Sequence, residues 1–463
     1  MRRLPLLTVV AIASLVSACT SVPPEDLPQA SAVLGEETRP DPTTPTTVTP
    51  TTVTPTTVPR VFDFTGAIAI GGLPGLVITD DEGTRLAVAP DDPRGQATQP
   101  TWSRDGDRAV ALVPTPAGAQ VVVRSVDETF VNAARRGYFF FSWSGDGRYI
   151  AALGPGPQGT TMDILTADGS LATDLSLDTQ SFYFAWEPGG DDLVLHRDRT
   201  LELVRDPLEL TSVEFLGEPG QSFLAPAWIP GTREVVIIDE ADDGRLVRLD
   251  VDTGERTDLG PVGAEAGLVV SPDGSRLFLS HSGPNVEFGD DITAAFRTSD
   301  TPFAPALSQL APSQSALARA PIQEPDASTA ASEIVVLDTG VRIPINDELS
   351  VWGEWSRDGE LLAFLQPGDT TGVWRVLDGD GVREIGRAQL SSTFFRNYVF
   401  FAWQYVESPR LWSPDGDAIV FSAVEEGVPG IYVQPLDGDR TRISDGDVAF
   451  WAPEIPGGGA SPA

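Results

Sequence analysis

The side chains that most often perform chemistry in proteins are scarce in this chain. It has two histidines, His196 and His281, a single cysteine, Cys19, and no lysine, so all 31 basic residues are arginines. Schiff-base chemistry and a P-loop are excluded because both need a lysine. The histidines and the cysteine lack the spacing of a zinc site, and no G-x-S-x-G turn joins a strand to a helix. We therefore predict no catalytic residues, no cofactor and no metal.

Two carboxylate clusters could in principle bind calcium. They are "ITDDEG" at 78–83 and "LDGDGVRE" at 377–384, and neither completes a twelve-residue calcium loop. Both stand where the pattern places a tight turn, so we interpret them as turns. His196 and His281 each follow a stretch that looks like a second strand, and we interpret both as ordinary loop histidines.

The net charge limits the classes of partner. At pH 7 the formal charge is −36. Nucleic acids and anionic lipid surfaces would be repelled, since phosphate binding needs clustered basic residues. The acidic side chains are explained first by solubility and by Asp in turns. A partner with a basic face, or a calcium site, is the alternative explanation, and we expect a monomer.

The N-terminus carries an export signal. Arg2 and Arg3 precede an apolar run at 4–16, which is too short to span a bilayer and fits a secretory signal peptide at 1–18. The run ends in Val-Ser-Ala-Cys, which resembles the bacterial lipobox. The resemblance implies that Cys19 receives lipid and anchors the chain to the membrane, facing away from the cytoplasm. An ordinary signal peptide is the alternative.

Residues 19–60 cannot form a packed core. Three copies of T-P-T-T-V fall within 44–58, and this composition favours extended, solvated backbone. We predict a Thr/Pro-rich disordered stalk after the lipidated cysteine, and a flexible tail at 454–463.

From residue 61 onward one unit recurs. A Trp is followed by a polar Asp-Gly turn and by alternating hydrophobic residues, as in "FSWSGDGRYIAAL" and "RLWSPDGDAIVFS". Successive copies are separated by 41, 43, 42, 42, 85 and 57 residues, measured at the Trp positions and at Val270, which replaces Trp in one copy. Four short strands in about forty residues, repeated, indicate the blades of a β-propeller. The fold class is therefore all-β, and we expect the repeated Trp residues to pack between blades.

The W-S-P-D-G unit resembles the TolB-type, WD40-like propeller repeat, which also occurs in prolyl-oligopeptidase propellers and in surface lipoproteins of actinobacteria, over residues 61–453. This resemblance is specific for the fold and uninformative about function. The long interval after Val270 is interpreted as an insertion at about 284–332 inside one blade. The aromatic stretch 394–405 is interpreted as an elongated, buried first strand, with an exposed patch for a partner as the alternative.

The two ends of the repeat region complement each other. After the stalk the chain begins with strands that lack a first strand and a Trp, and it ends with "VAFWAP" at 448–453. We predict that both ends build one composite blade and close the ring. The expected total is eight blades, with seven as the alternative if one motif is irregular.

These observations favour a membrane-anchored lipoprotein outside the cytoplasm. Its propeller would be a protein- or ligand-binding scaffold with an envelope partner. The alternatives are a hydrolase or lactonase-like enzyme with a site in the central channel, and an envelope sensor.

Overall fold

The computed structural model describes residues 64–453 with gaps at 91–93, 180–181, 198, 211, 220–224, 240–243, 263–265, 282–330, 349, 368–370 and 400–409. The predicted signal peptide, Cys19, the stalk, most of the predicted insertion and the tail lie outside the described residues.

The described chain folds into eight antiparallel sheets, which are the blades of a β-propeller. Blade 1 combines strands from both ends of the repeat region: β1 (Ile68–Gly71), β2 (Leu76–Thr79), β3 (Arg85–Ala89) and β31 (Val448–Trp451). Blade 2 contains β4 (Thr98–Trp102), β5 (Arg108–Thr115), β6 (Gly118–Ser125) and β7 (Thr129–Ala133). Blade 3 contains β8 (Phe140–Trp143), β9 (Tyr149–Gly156), β10 (Gly159–Thr166) and β11 (Leu171–Thr179).

The next three blades repeat this order. Blade 4 contains β12 (Phe182–Trp186), β13 (Leu193–Arg197), β14 (Thr200–Val204) and β15 (Val213–Gly217), with a 3-10 turn at Pro207–Glu209. Blade 5 contains β16 (Ala227–Trp228), β17 (Glu234–Asp239), β18 (Arg245–Asp250) and β19 (Arg256–Pro261). Blade 6 contains β20 (Gly267–Val270), β21 (Arg276–Ser280), β22 (Ser332–Val336) and β23 (Arg342–Asn346).

Two blades complete the ring. Blade 7 contains β24 (Trp352–Trp355), β25 (Leu362–Pro367), β26 (Gly372–Asp378) and β27 (Gly381–Ala388). Blade 8 contains β28 (Ala418–Glu425), β29 (Val428–Pro435) and β30 (Thr441–Ser444). A single short helix, α1 (Ser392–Asn397), lies between them among the described residues.

Five of the blades, 2, 3, 6, 7 and 8, share the same turn chemistry between their first two strands. In the turn after β8, for example, Ser144 Oγ accepts from the N–H of Tyr149 at 3.0 Å and donates to Asp146 at 2.7 Å, and Gly147 has a φ of 71°. Only glycine adopts this left-handed conformation without strain. The Ser-x-Asp-Gly sequence therefore fixes the hairpin between the first two strands of a blade.

The repeated tryptophans are buried, and five of them also donate an indole hydrogen bond to the neighbouring blade, which confirms their predicted packing role. The Nε1–H of Trp228 donates to the carbonyl of Ala185, the residue that precedes the Trp of the blade before it, at 3.0 Å. Trp186 makes the same bond to Ser142 at 3.2 Å, and Trp355 to Val269 at 3.0 Å. A buried indole N–H usually has such an acceptor, and Trp143 and Trp451 are the two repeated tryptophans whose indole has none. The repeat thus encodes the contact between blades as well as the hairpin.

The predicted closure by a composite blade is confirmed. β31 pairs with β1 in the register Ile68↔Trp451, and Trp102 of blade 2 donates to the carbonyl of Phe450 at 2.9 Å. Towards blade 8, the backbone N–H of Trp451 donates to the carbonyl of Arg410 at 2.8 Å. β31 therefore occupies the first-strand position of a blade and bonds to both neighbouring blades.

The long interval in blade 6 lies within one sheet. Ser280, at the end of β21, pairs with Ser332 at the start of β22. The stretch between them thus connects the second and third strands of the same blade.

Candidate functional site at the axial end of the ring

The first strand of blade 8 is split into two pieces. Leu390 forms a bridge with Ala423, whereas Trp412 forms a bridge with Ile419, further along the same strand β28. The chain therefore leaves the first-strand position after Leu390 and occupies it again at Trp412, and this departure is called the excursion below. First strands surround the axis of the ring, because those of neighbouring blades contact one another. The excursion consequently starts and ends at the axis.

The excursion begins with α1, and this overturns one expectation. We predicted an elongated first strand at 394–405, but Ser392–Asn397 is helical and 400–409 lies outside the described residues. The cause is Ser391, whose Oγ accepts from the N–H of Phe394 at 3.1 Å and so caps the helix. The same Oγ donates to the carbonyl of Asp447, at 3.1 Å, which attaches the helix start to blade 1.

The aromatic side chains of α1 connect first strands from different blades. The ring centroids of Phe394 and Trp352, on β24 of blade 7, are 6.0 Å apart. Tyr398 stacks on Phe394 at 6.1 Å and meets Phe450, on β31 of blade 1, edge to face at 5.2 Å. The backbone of Gln99, on β4 of blade 2, lies close to the Tyr398 hydroxyl, whose pKa is raised by burial. A cluster that reaches blades 7, 1 and 2 from blade 8 must lie across the inner edge of the ring.

These side chains are buried, so the predicted burial of the stretch is confirmed for its described part. Phe394 and Tyr398 are 0% and 6% exposed. The cluster of Phe394, Tyr398, Trp352 and Phe450 is called the axial cluster below.

A buried carboxyl group holds the returning half of the split strand. Glu354, on β24, is 3% exposed, and its two oxygens lie 3.0 and 3.1 Å from the backbone nitrogen of Leu411, which donates to them. Burial raises the pKa of Glu354 to about 7, although the charge of Arg410 and the N–H of Leu411 act in the opposite direction. The Trp412 indole also donates to the Glu354 carbonyl, at 2.9 Å. Glu354 therefore titrates near neutrality at a contact between blades 7 and 8.

A second carboxyl group lies beside the start of the helix. Burial raises the pKa of Asp447, and a hydrogen bond from Thr393 of α1 opposes this shift. Two acidic residues, one on each neighbouring blade, thus flank the excursion.

The residues singled out from the sequence are not brought together. His196 was expected in a loop, but it lies within β13 and is 4% exposed, so that expectation is wrong. His281 follows β21 directly and contacts Glu333 at 2.9 Å. Since His196 belongs to blade 4 and His281 to blade 6, they do not form one site.

The two acidic clusters form turns. Asp80 Oδ1 accepts from the N–H groups of Glu82 at 3.1 Å and Thr84 at 2.6 Å. Asp378 Oδ1 accepts from the N–H of Asp380 at 2.9 Å, and its other oxygen from Arg383 at 3.2 Å. These carboxylates therefore accept hydrogen bonds from N–H groups of the turns in which they lie. Within the described ranges, no group of three or more His, Cys, Asp or Glu side chains could hold a metal ion.

Sequence reasoning missed Glu354 and the helix. Glu354 occupies the position before the repeated Trp, where other copies have Thr101, Ser142, Ala185 or Val269. Glu354 could have been found from the sequence, because it places a carboxylate where the other copies of the repeat have a small or apolar residue.

Known structures share this fold. No protein-family model and no curated protein matches the chain. A dihydro-heme d1 dehydrogenase, NirN, superimposes with a TM-score of 0.52 at 13% identity, over 86% of this chain and 78% of that one. A eukaryotic initiation factor gives a TM-score of 0.50 at 12% identity, over 84% of this chain and 99% of that one. TolB from Acinetobacter baumannii is also similar, at 11% identity and a TM-score of 0.36, over 83% of this chain and 82% of that one.

The molecule is thus an eight-bladed β-propeller. At these identities the likeness extends to the fold alone, and the fold hosts both enzymes and binding modules. Among the described residues, no helix is long and apolar enough to cross a membrane.

Proposed function

We propose that this protein is a lipid-anchored component of the cell envelope whose propeller is a binding scaffold for a protein or ligand partner. The observation that carries the scaffold half of the proposal is the axial cluster. In a propeller enzyme the channel presents polar side chains to a substrate, whereas here four aromatic side chains pack across the inner edge of blades 7, 8, 1 and 2. Such packing stabilises a ring, and Glu354 beside it is buried and accepts a hydrogen bond from the backbone of Leu411.

The anchor half rests on the sequence around Cys19. Lipid on this cysteine would hold the chain at the membrane, and residues 20–60 would then separate the propeller from the lipid surface. In the extended conformation that its composition favours, this stalk would span about 130 Å. The net charge of −36 supports such a separation, because it disfavours contact with anionic lipid headgroups.

The anchor is tested by membrane fractionation of cells that express the full chain. Cys19→Ala should move the protein from the membrane to the soluble or secreted fraction. Thr20→Ala, which alters the neighbouring residue and keeps the cysteine, is the matched control and should remain at the membrane. Membrane retention of Cys19→Ala would refute the anchor.

The scaffold is tested by crosslinking in intact cells followed by mass spectrometry. We expect one partner to be recovered with the wild-type chain in repeated experiments and to be reduced with Cys19→Ala, which cannot stay at the membrane. Turnover of a hydrolase or lactonase substrate by the purified protein, with no partner recovered, would favour the enzyme alternative instead.

A further inference from the structure

The outermost strands of blades 2, 3 and 4 expose apolar side chains. Seven large apolar side chains are exposed in the described part of the chain, and four of them lie on these three neighbouring strands. They are Val131 on β7, Leu171 and Leu175 on β11, and Phe215 on β15. Phe215 is the most exposed of the seven, at 64%. Apolar surface is therefore concentrated on one side of the ring.

The fold does not require apolar side chains at these places. Blades 5, 7 and 8 repeat the same architecture, but their outermost strands β19, β27 and β30 expose Arg256, Glu384 and Arg442. An exposed apolar side chain contributes little to the stability of the fold that carries it. Contiguous apolar surface instead marks contacts with other molecules.

Leu175 and Phe215 border one groove, between blades 3 and 4. Leu177 of blade 3 and Val213 of blade 4 belong to the core that these two blades share. Alternate residues of a strand point to the same face, so Leu175 lies beside Leu177 on β11, and Phe215 lies beside Val213 on β15. The 3-10 turn of blade 4 contacts β11 as well. These four apolar side chains define what is called the rim groove below.

The rim groove lies among acidic residues. β11, the 3-10 turn and β15 contain no arginine and four carboxylates, which are Asp174, Asp178, Glu209 and Glu214. From outside these elements, Arg205 bonds to Glu214 at 2.7 Å and Arg135 to the Asp174 carbonyl at 3.3 Å. Carboxylates therefore still outnumber arginines. A second copy of this chain would bring the same negative charge, whereas a basic segment would be attracted.

β15 also offers backbone groups to a partner. It is the edge strand of blade 4 and pairs with β14 on one side only, among the described residues. An extended segment can pair with such an edge through its main chain and place alternate side chains against the surface beside it. Shape, apolar surface and charge thus agree on one kind of occupant.

We propose that the rim groove binds an extended, basic segment of a partner protein, one of whose apolar side chains inserts between Leu175 and Phe215. This inference rests on the proposed scaffold function and identifies the docking surface and the chemistry of the partner. The exposed position of both side chains means that replacing them should leave the fold intact.

A defined peptide tests the recognition. The probe is a short fluorescein-labelled peptide of alternating Phe and Arg, and the same peptide with Glu in place of Arg is the reference. The purified full chain should bind the Arg peptide and not the Glu peptide, measured by fluorescence anisotropy. The double variant Leu175→Ser with Phe215→Ser should bind the Arg peptide about tenfold more weakly.

Blade 6 supplies the matched control for this measurement. Val341→Ser with Ile343→Ser changes two side chains that are also exposed, at 53% and 51%, and should bind the Arg peptide like the wild type. Equal affinity of the wild type and the Leu175/Phe215 variant would overturn the proposal. An equal loss in both double variants would also overturn it, because the peptide would then bind acidic surface without selecting the rim groove.

Sedimentation of the purified wild type tests the competing occupant. We expect a monomer, because two copies carry like charges at the rim groove. A dimer that the Leu175/Phe215 variant dissociates would show that a second copy fills the groove, and the proposed occupant would then be wrong.

Photocrosslinking in intact cells separates this inference from the scaffold function. A photoreactive phenylalanine analogue replaces Phe215 or, as the control, Thr257, which is exposed on β19 of blade 5. The partner recovered by general crosslinking should be captured from position 215 and not from 257, through a segment that contains basic residues. A partner recovered by general crosslinking but not from 215 would refute the rim groove and leave the scaffold function standing. If neither method recovers a partner, the scaffold function fails, and the peptide measurement alone decides whether the groove binds such segments.

Discussion

The carboxyl group of Glu354 allows a quantitative prediction. Its pKa is raised from 4.5 to about 7 because the group is buried between blades 7 and 8. The folded state therefore prefers the protonated form, whose stabilisation is complete below the unfolded pKa and is lost as the pH rises through about 7. A difference of about 2.5 pH units corresponds to about 3 kcal/mol, so ionised Glu354 should cost about that much at pH 9 relative to pH 4.

Replacement by glutamine should remove this cost. The Gln side chain in Glu354→Gln keeps an oxygen that can accept from the Leu411 N–H, but it never ionises. The pKa of about 7 already includes the effect of the Leu411 N–H on the carboxylate, so the gain expected at pH 9 is the full cost of about 3 kcal/mol. At about pH 4 the variant and the wild type should be nearly equal in stability, because the wild-type carboxyl group is then mostly protonated in both the folded and the unfolded state.

Urea unfolding at a series of pH values measures this directly, since the midpoint shifts while the slope stays constant. The matched control is Glu348→Gln, which removes the same charge from a side chain that is 70% exposed and should change stability by about 0.5 kcal/mol or less. If the stability of Glu354→Gln followed the same pH profile as the wild type, the burial argument would be wrong. A variant that was less stable at pH 9 would also contradict it.

Three further changes test the closure of the ring and the contacts between blades. Truncation after Gly446 removes β31, and the loss of its four buried residues should abolish cooperative thermal unfolding. Phe450→Ala should cost about 3–5 kcal/mol in urea unfolding, whereas Phe215→Ala, at a side chain 64% exposed, should cost about 0.5 kcal/mol or less. Trp355→Phe should be about 1 kcal/mol less stable in the same assay, because the Val269 carbonyl loses its indole donor. For each of these variants, unfolding like that of the wild type would refute the contact that the variant removes.

The fold was predictable because its determinants are local and repeated. The period of about 42 residues, the Asp-Gly turns and the Trp at the end of every first strand except β20 are all visible in the sequence, and the blade count follows from them. The composite blade followed from counting strands at the two ends. Each of these features is determined by residues close together in the sequence, and such local patterns are visible without knowledge of the tertiary contacts.

The axial end could not be predicted in the same way. Glu354 bonds to Leu411, 57 positions away, and nothing in either local sequence reveals the partner. In α1 the residues do not alternate as in a strand, and the cap at Ser391 together with the stacking of Phe394 on Tyr398 outweighs the β preference of the aromatics. His281 shows the same limit, because Val262 and Glu333 reach it from two different blades.

The pairing of β1 with β31 also has a consequence for how the protein is made. In the register, Ile68 and Trp451 are partners, so about 380 residues must be synthesised between them, which takes roughly 20 to 80 seconds at typical ribosome speeds. Throughout that time the first hairpin has an open edge, which invites pairing with other chains. The stretch "DGDVAFWAP" is therefore the last part to reach its place, and nascent molecules are most vulnerable to aggregation just before it arrives.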